Sequence, residues 1–470
     1  MRPIHASCLP ALLLVCLAGC TTAPDYKAPT VELPKAYKES STQWAVAQPG
    51  DQLSRDGWWL VFQDPVLNAL MAKGSETNFQ LQAAVSRFNA SKAFLAVNSA
   101  AQSPQVGLSG TGSNNRQSAN RPLRGANQPD IYDSNQVSFV ASYELDVWGR
   151  VRSSIDSATA LSEAAFADTQ TLRLLIRTEI ASTYFQVRGL DTQISLIKDV
   201  LEAYRKQASI VRSRFEMGIS SGGDYYRAQT LVENEEIRLQ SLRTRRSVLE
   251  HALALLVGEN ASTFSLEAGD IFKIAVPEVP LSVPSRLLER RPDIASSERK
   301  VAASNADIGV ARAAYFPVIG LAAQDGFQNN STSSLINAPN RFWSIGPTAF
   351  LTLFDGGRRD ALVDQAKARN EEATAVYKNT VLSAFKEVED VLVDLKNREI
   401  VQKNVSDALL LSDKGYQIAI ERYKEGVASY LEIVDASIQR TQSELTNVDQ
   451  RTQLLVGRSS LVKVLGGYWD

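Results

Sequence analysis

The sequence predicts a mostly α-helical chain with a transmembrane β part, the whole built twice over. Three observations predict it. Two stretches, Arg214-Phe215-Glu216-Met217-Gly218-Ile219-Ser220-Ser221 and Arg422-Tyr423-Lys424-Glu425-Gly426-Val427-Ala428-Ser429, follow one plan. Each closes a long run of apolar residues at helical spacing and opens another. Between such runs, residues 136–147 alternate apolar and polar with a period of two. In both matching stretches a Gly precedes a Ser, and an acid follows three residues later: Asp224 after Ser221, Glu432 after Ser429. Gly ends a helix and Ser with an acid at N3 starts one, so each stretch predicts a helix–turn–helix tip.

Composition removes several function classes. With 470 residues and 44% hydrophobic, the chain can form two or three compact domains or one elongated one. A formal net charge of −2 speaks against nucleic acid, which needs a clustered basic excess. Cys8, Cys16 and Cys20 all fall in the first twenty residues, so the body holds no disulfide framework and no thiolate metal site. Two histidines and three methionines make a soft-metal role a poor fit, and no cofactor is expected. Gly218-Ile219-Ser220-Ser221-Gly222 has nucleophile-elbow spacing, but that device needs a strand before it and a triad histidine. A long helix precedes it here, His251 lies on the next helix, and no nucleotide fingerprint occurs. The chain is not expected to be an enzyme.

Residues 1–19 read as a signal peptide. Arg2 supplies the positive start, and Leu9 to Ala18 is apolar but too short for a permanent span. It ends in Leu17-Ala18-Gly19-Cys20, which resembles a bacterial lipobox with Cys20 as the lipidated residue; a plain secretory signal is the alternative. Thr21 stands where an Asp would, by analogy, hold a lipoprotein at the inner membrane, which favours the outer one. Residues 20–57, with Pro24, Pro29, Pro34 and Pro49, read as a lipidated extended tail.

Residues 58–258 form the first repeat. Trp58 to Phe62 leads to Asp64-Pro65, a helix start with Pro at the first helical position. Helix is expected to about Ala101, broken near Lys73-Gly74. After Pro104, Val106 and Leu108 begin an alternation. Asn114 to Asn135, with Arg116, Arg121, Arg124, Asp130 and Asp133, reads as a solvated extracellular loop. Then Val137, Phe139, Ala141, Tyr143, Leu145 and Val147 share one face, and Gln136, Ser138, Ser142, Glu144 and Asp146 the other, with only Val140 out of place. A strand of about 9–11 residues with one apolar and one polar face suits a transmembrane barrel; a half-buried strand of a soluble sheet is the alternative. From Ser153 to Phe215 only Gly189 interrupts a helical pattern. Val187, Leu190, Ile194, Ile197, Leu201, Tyr204, Ala208, Val211 and Phe215 repeat every three or four residues, as in a coiled coil. A second helix runs from about Gly222 to Val257, with Leu242, Leu249 and Leu256 a heptad apart.

Residues 259–291, with Pro277, Pro280 and Pro284, read as a connector. Residues 292–470 then repeat the plan. Ala313-Ala314-Tyr315-Phe316-Pro317 echoes Ala100-Ala101-Gln102-Ser103-Pro104. Strands are expected at Val318–Phe327 and Ser344–Phe354. Asp355-Gly356-Gly357-Arg358 answers Asp146-Val147-Trp148-Gly149-Arg150. A long helix with Val405, Leu409, Ser412, Tyr416, Ala419 and Tyr423 on one face reaches the second tip, and the last helix ends near Leu465.

Each repeat thus supplies two strands and a helical hairpin. Four strands cannot close a barrel, and an open strand edge is not tolerated in hydrocarbon. Copies of the chain must share one barrel: two copies give eight strands, three give twelve. The helices are too polar for lipid and must project into water.

Nearly the whole chain after Cys20 resembles the TolC-like outer-membrane efflux proteins, in particular the NodT-type lipoprotein branch. The resemblance rests on Trp58-Trp59 with Phe62-Gln63-Asp64-Pro65, on Leu145-Asp146-Val147-Trp148-Gly149-Arg150, and on Arg290-Arg291-Pro292-Asp293-Ile294. It rests equally on Leu353-Phe354-Asp355-Gly356-Gly357-Arg358 and on Tyr430-Leu431-Glu432-Ile433-Val434-Asp435-Ala436. It implies a homotrimer with a twelve-stranded barrel in the outer membrane lipid and a periplasmic α-helical barrel. It implies a passive exit duct for small molecules, working with a periplasmic adaptor (membrane fusion) protein and an inner-membrane pump of the RND or a similar type. A duct for type I protein secretion is a close rival. A non-conducting structural or adhesive lipoprotein is a rival from another class.

A duct needs a closure at its periplasmic end. The resemblance puts acids just after the second tip, here Glu432 and Asp435, one helical turn apart. Three copies would stack them as two rings that favour cations. Tyr423 matches a latch tyrosine of the family. The arginine that the family places just before the acids is absent, because Ala428 stands there, which leaves Arg422 as a substitute. Arg227 is the first-repeat counterpart of Asp435 and a candidate partner for it. Asp224 is the counterpart of Glu432. Both acids also suit a plain helix-capping role.

Overall fold

The computed structural model describes residues 22–31, 38, 56–118, 120, 122, 128–277 and 291–467. The signal peptide, Cys20, Arg121, Arg124 and Arg290 lie outside the described residues. In chain order the main elements are α1 (Pro65–Thr77), α2 (Phe79–Ala100), β1 (Gln105–Arg116), β2 (Ile131–Leu145), α3 (Arg150–Glu216) and α4 (Gly222–Leu256). The second half supplies α5 (Pro292–Ala313), β3 (Val318–Asn329), β4 (Arg341–Phe350), α6 (Arg358–Lys424) and α7 (Tyr430–Val464). The repeat holds element for element: α2 and α5 have 22 residues each, α3 and α6 have 67, and α4 and α7 have 35. Among the described residues no helix is long and apolar enough to cross a membrane.

The structure divides into two compact units that cut across the repeats. One comprises residues 1–30, 88–165 and 297–377, and the other residues 31–87, 166–296 and 378–470. The first holds an antiparallel sheet in the order β1-β2-β3-β4. Its central pair joins the two repeats, with Val137 opposite Phe327 and Tyr143 opposite Leu321. Gly326 lets the two backbones meet: a Cβ there would lie 2.3 Å from the Val137 carbonyl oxygen. Among the described residues, strands β1 and β4 each have one edge without a partner.

Where each strand pair meets the helices, the two repeats use one device. Asp146 accepts from the amides of Val151 and Arg152 at 2.9 Å and from Arg152 Nε. Asp355 accepts from the amides of Gly357 and Arg359 and from Arg359 Nε at 2.7 Å. A carboxylate on the free amides of a helix start caps it and complements its dipole. Gly149, Gly356 and Gly357 take the positive φ that the turn requires.

The second unit is held by apolar packing and one buried polar network. Trp58, Phe62, Leu67, Met71, Ile180, Phe185, Leu253 and Leu455 form a core of fully covered side chains. The expected coiled-coil face is realised: Ile194, Ile197, Leu201, Tyr204, Ala208 and Val211 of α3 pack on Ala228, Val232, Leu239 and Leu242 of α4. Asp64 caps α1 as expected, accepting from Val66 and Leu67 at 2.9 Å, and also accepts from the Tyr184 hydroxyl. Buried Asp191 accepts from Arg188 at 3.1 Å, from Arg246 at 2.8 Å and from the Gly269 amide at 3.1 Å. Arg188 and Arg246 each donate onward to connector carbonyls, Glu267 and Leu266. The network pins residues 266–269 to α3 and α4. At the end of the connector Arg291 reaches into the second repeat, to Asp293 at 2.7 Å, Glu387 at 2.8 Å and the Val464 carbonyl, which explains the Arg-Pro-Asp motif.

Several expected boundaries move. Helix α1 does not break at Lys73-Gly74 but runs to Thr77. Gly74 serves close packing instead, because a Cβ there would sit 2.4 Å from Ile180 Cδ1. Gly189 likewise lets α3 approach Thr452 of α7. The loop expected at Asn114–Asn135 is shorter, since both of its ends join the β1–β2 ladder, with Arg116 opposite Ile131. The last strand is Arg341–Phe350 rather than Ser344–Phe354. Leu353 and Phe354 are 87% and 89% exposed and off the ladder; they are apolar without being paired.

Asp191→Ala leaves two arginines facing each other in a buried site. A loss of about 3–5 kcal/mol is expected, read as a lower melting temperature by circular dichroism. Lys206→Ala, which removes an exposed pair with Glu202, is expected to change nothing that the melt resolves.

Candidate functional site

Both tips lie in the second unit and share one backbone geometry. Gly218 and Gly426 adopt φ of 74° and 75°. The amide of Ile219 donates to the Arg214 carbonyl at 2.8 Å, and that of Val427 to the Arg422 carbonyl at 3.0 Å. This is the six-to-one bond of a glycine-terminated helix. The left-handed backbone accounts for glycine at both positions.

Their side chains diverge. At the first tip Ser221 caps α4, accepting from the Asp224 amide at 3.2 Å while its hydroxyl donates to Asp224 Oδ2 at 2.8 Å. Asp224 is therefore engaged as a cap. At the second tip the expected side-chain cap is absent: Ser429 stands at the N-cap of α7, but its side chain makes no capping bond. Glu432 instead accepts from Arg422 Nη1 at 3.0 Å, tying the last turn of α6 to the first turn of α7. Both side chains are about half exposed, so the bond is worth only a fraction of a buried pair.

A second link joins the two tips. Arg214 Nη1 donates to the Tyr423 hydroxyl at 2.6 Å, and the guanidinium lies 5.8 Å from the Tyr423 ring centroid. Tyr423 in turn meets Tyr430 edge to face at 6.2 Å. Phe215, the first-tip counterpart of Tyr423, stacks on Tyr225 at 5.3 Å. Arg214 was not among the expected gate residues. Its signal was present, because both tips carry Arg followed by an aromatic, but its partner is 209 residues away. Arg227 and Asp435 are exposed, and among the described residues neither has an ion-pair partner; the expected Arg227–Asp435 pair does not form within one chain. His251 is at the surface.

A family model described as outer membrane efflux protein matches residues 72–259 and 283–467, which take in both tips, both hairpins and all four strands. The chain belongs to the outer membrane efflux protein family. It is 29% identical to outer membrane protein OprJ of Pseudomonas aeruginosa over 98% of this chain and 95% of that one. It is 30% identical to the toluene efflux pump outer membrane protein TtgI of Pseudomonas putida over 98% of both chains. The solved outer-membrane channel OprN superposes with a TM-score of 0.86 at 27% identity, over 96% of this chain and all of that one. The open state of the MtrE outer membrane channel of Neisseria gonorrhoeae superposes with a TM-score of 0.82 at 25% identity, over 95% and 98%. The fold class expected from the sequence and the role of outer-membrane component of an efflux system are both borne out.

Within this efflux protein the tip chemistry predicts a titration. Burial, and next the neighbouring Tyr423 phenol, push the Tyr430 phenol up to about 12. In the unfolded chain it ionises near about 10. The contribution of the neutral phenol to folding is thus complete below that value and lost as pH rises through about 12. The difference between phenolate titrations of the wild type and Tyr430→Phe is expected to have its midpoint near about 12. A midpoint at the ordinary tyrosine value would show that the tips are not packed in this way.

Proposed function

We propose that three copies of this chain close one twelve-stranded barrel and form the exit duct of a tripartite efflux pump. The observation that carries the reading is the sheet itself: the inner rows of one face are mostly apolar, and among the described residues both edges are unpaired. Unpaired strand edges cost several kcal/mol per group in lipid, so copies must complete one another. Exposed apolar side chains on α6, among them Leu410, Leu411 and Ile418, suit cover by a neighbouring copy. The partners of the duct are a periplasmic adaptor and an inner-membrane pump that supplies the energy. Small apolar molecules and drugs are the cargo. Relatives matched over nearly the whole chain are named for toluene, solvent and antibiotic efflux, which favours this over protein secretion or a non-conducting spacer.

Residues 1–19 are removed and Cys20 is acylated in the outer membrane. The residues just after it support this. The Thr22 hydroxyl donates to the Gly309 carbonyl at 2.9 Å and lies 3.2 Å from that of Trp148, and Asn305 donates to the Pro24 carbonyl at 2.8 Å. Trp148 donates to the Pro317 carbonyl at 2.8 Å and stacks on Phe316. Thr22 and Pro24 are thus held where β2 and β3 meet their helices, close in sequence to Cys20, whose acyl chains would enter the inner leaflet.

The gate is built from Tyr423, Arg422, Glu432 and Asp435, with Arg214 added, while Asp224 acts mainly as a cap and Arg227 awaits a partner from a neighbouring copy. Arg214–Tyr423 ties the second hairpin to the first, so swinging that hairpin outward breaks this bond. Glu432 is already compensated by Arg422, which leaves Asp435 as the ring that selects cations.

Two measurements test the reading. Deleting the gene is expected to sensitise cells to several unrelated apolar drugs; unchanged sensitivity to all of them would contradict an efflux role. In planar bilayers Arg214→Ala is expected to raise the open probability about tenfold, the scale of one hydrogen bond to a charged group. Asp435→Ala with Glu432→Ala is expected to lower the preference for cations. An unchanged preference would remove both acids from the gate.

A further inference from the structure

The apolar face of the sheet carries a basic feature at its outer rim. Register places Leu108, Phe139, Asp325 and Trp343 in one row on one face. Rows on the same face hold Val106, Ala141, Ala323 and Ile345, then Tyr143 and Leu321. The opposite face carries Ser109, Gln136, Ser138, Gln324 and Ser344, with Gln324 donating to Ser138 at 2.9 Å. The first face suits lipid and the second water. One end of the sheet continues into polar helices, so the end bearing the loops at 117–130 and 330–340 points outward.

Along the lipid-facing side charge begins toward the outer end, with Asp325 in the Trp343 row and Arg341, Asp133 and Arg116 beyond it. Arg116 is the outermost residue of β1, and Arg341 is the outermost residue of β4. Both stand on the apolar face, in register with Ile131 and Phe327. Arg341 Nε donates to Asp325 at 3.1 Å, and both side chains remain more than half exposed. Arg116 is exposed and has no ion-pair partner among the described residues. The nearby acid of its row set, Asp133, accepts from Asn114 at 2.8 Å. A guanidinium on a lipid-facing strand costs about 2–4 kcal/mol at the bilayer midplane but close to nothing at the interface. Trp343, two residues deeper than Arg341, marks the interfacial belt. Both arginines therefore sit at head-group level.

β1 and β4 are the two edge strands. When copies close a barrel, β4 of one copy lies beside β1 of the next, and each seam carries Arg341 from one copy and Arg116 from the other at its outer end. Arg341 shares Asp325 and Asp133 is engaged by Asn114, which leaves Arg116 as the guanidinium of each seam without an ion-pair partner among the described residues, above a mostly apolar surface. We infer that each seam binds a phosphate-bearing lipid of the outer leaflet, its phosphate held between Arg116 and Arg341 and its acyl chains lying along the Leu108, Phe139 and Ile345 face. Planar guanidiniums suit bidentate phosphate contacts, and the same lipid covers the seam between copies. The inference rests on the shared barrel proposed above.

Native mass spectrometry of the detergent-purified full chain tests it, with diphosphoryl lipid A and a diacylglycerol as probes. The expected result is a three-chain mass that retains diphosphoryl lipid A, up to one per seam, and releases diacylglycerol. Arg116→Gln, a change at an exposed and unpaired position, is expected to lower retention about tenfold. Arg116→Gln with Arg341→Gln and Asp325→Asn is expected to abolish the preference for phosphate. A three-chain mass that holds both lipids equally, or an Arg116→Gln protein that retains lipid A like the wild type, overturns the lipid site alone. A one-chain mass overturns the shared barrel and the seam with it.

Discussion

Backbone hydrogen bonding in hydrocarbon governs this molecule. A strand placed in lipid must have every amide and carbonyl paired, because no water is there to compensate. The sheet satisfies this across β1–β2, β2–β3 and β3–β4 and leaves β1 and β4 each with an open edge. Whatever closes those edges must be another strand, and the available source is another copy of the chain. Membrane insertion, oligomer formation and the existence of a conduit are thus a single requirement. The central β2–β3 pair joins the two repeats, so neither repeat alone could supply this sheet.

Duplication gives the chain two hairpins of equal length but leaves it free to use them differently. The backbone of the two tips is the same, down to the positive φ of Gly218 and Gly426. The side chains have parted: Asp224 is held by the capping serine, whereas Glu432 is released from that task and held by Arg422. The first hairpin has Phe215 stacked on Tyr225, and the second is attached to it through Arg214 and Tyr423. In the proposed gate the first hairpin stays and the second moves, and divergence at a few side chains on a shared backbone suits that division.

Much of this was legible in the sequence, for a physical reason. Long runs with one strong period announce themselves, so the coiled-coil face from Val187 to Val211, the alternation in β2 and the doubling of the whole plan could all be read directly. The failures share a cause too. Asn114 to Arg116 read as loop because polar residues at the outer end of a barrel strand lack the alternation that lipid contact imposes deeper down. Leu353 and Phe354 read as strand because they are apolar, though they lie off the ladder. Gly74 read as a break because glycine disfavours helix, while packing against Ile180 outweighs that preference. The tip contacts behind the proposed gate were legible only in part. Residues on one tip could be matched by position, but the Arg214–Tyr423 bond spans 209 residues and follows from how the hairpins pack.

The central claim, that the edges of the sheet are closed by other copies, is tested most directly by amide hydrogen exchange on the detergent-purified protein. Closure predicts that the amides of Gln105–Arg116 and Arg341–Phe350 exchange as slowly as those of the inner strands. Fast exchange confined to the outward-facing amides of these two strands, with the inner pair protected, would mean that the edges stand open and would contradict the account.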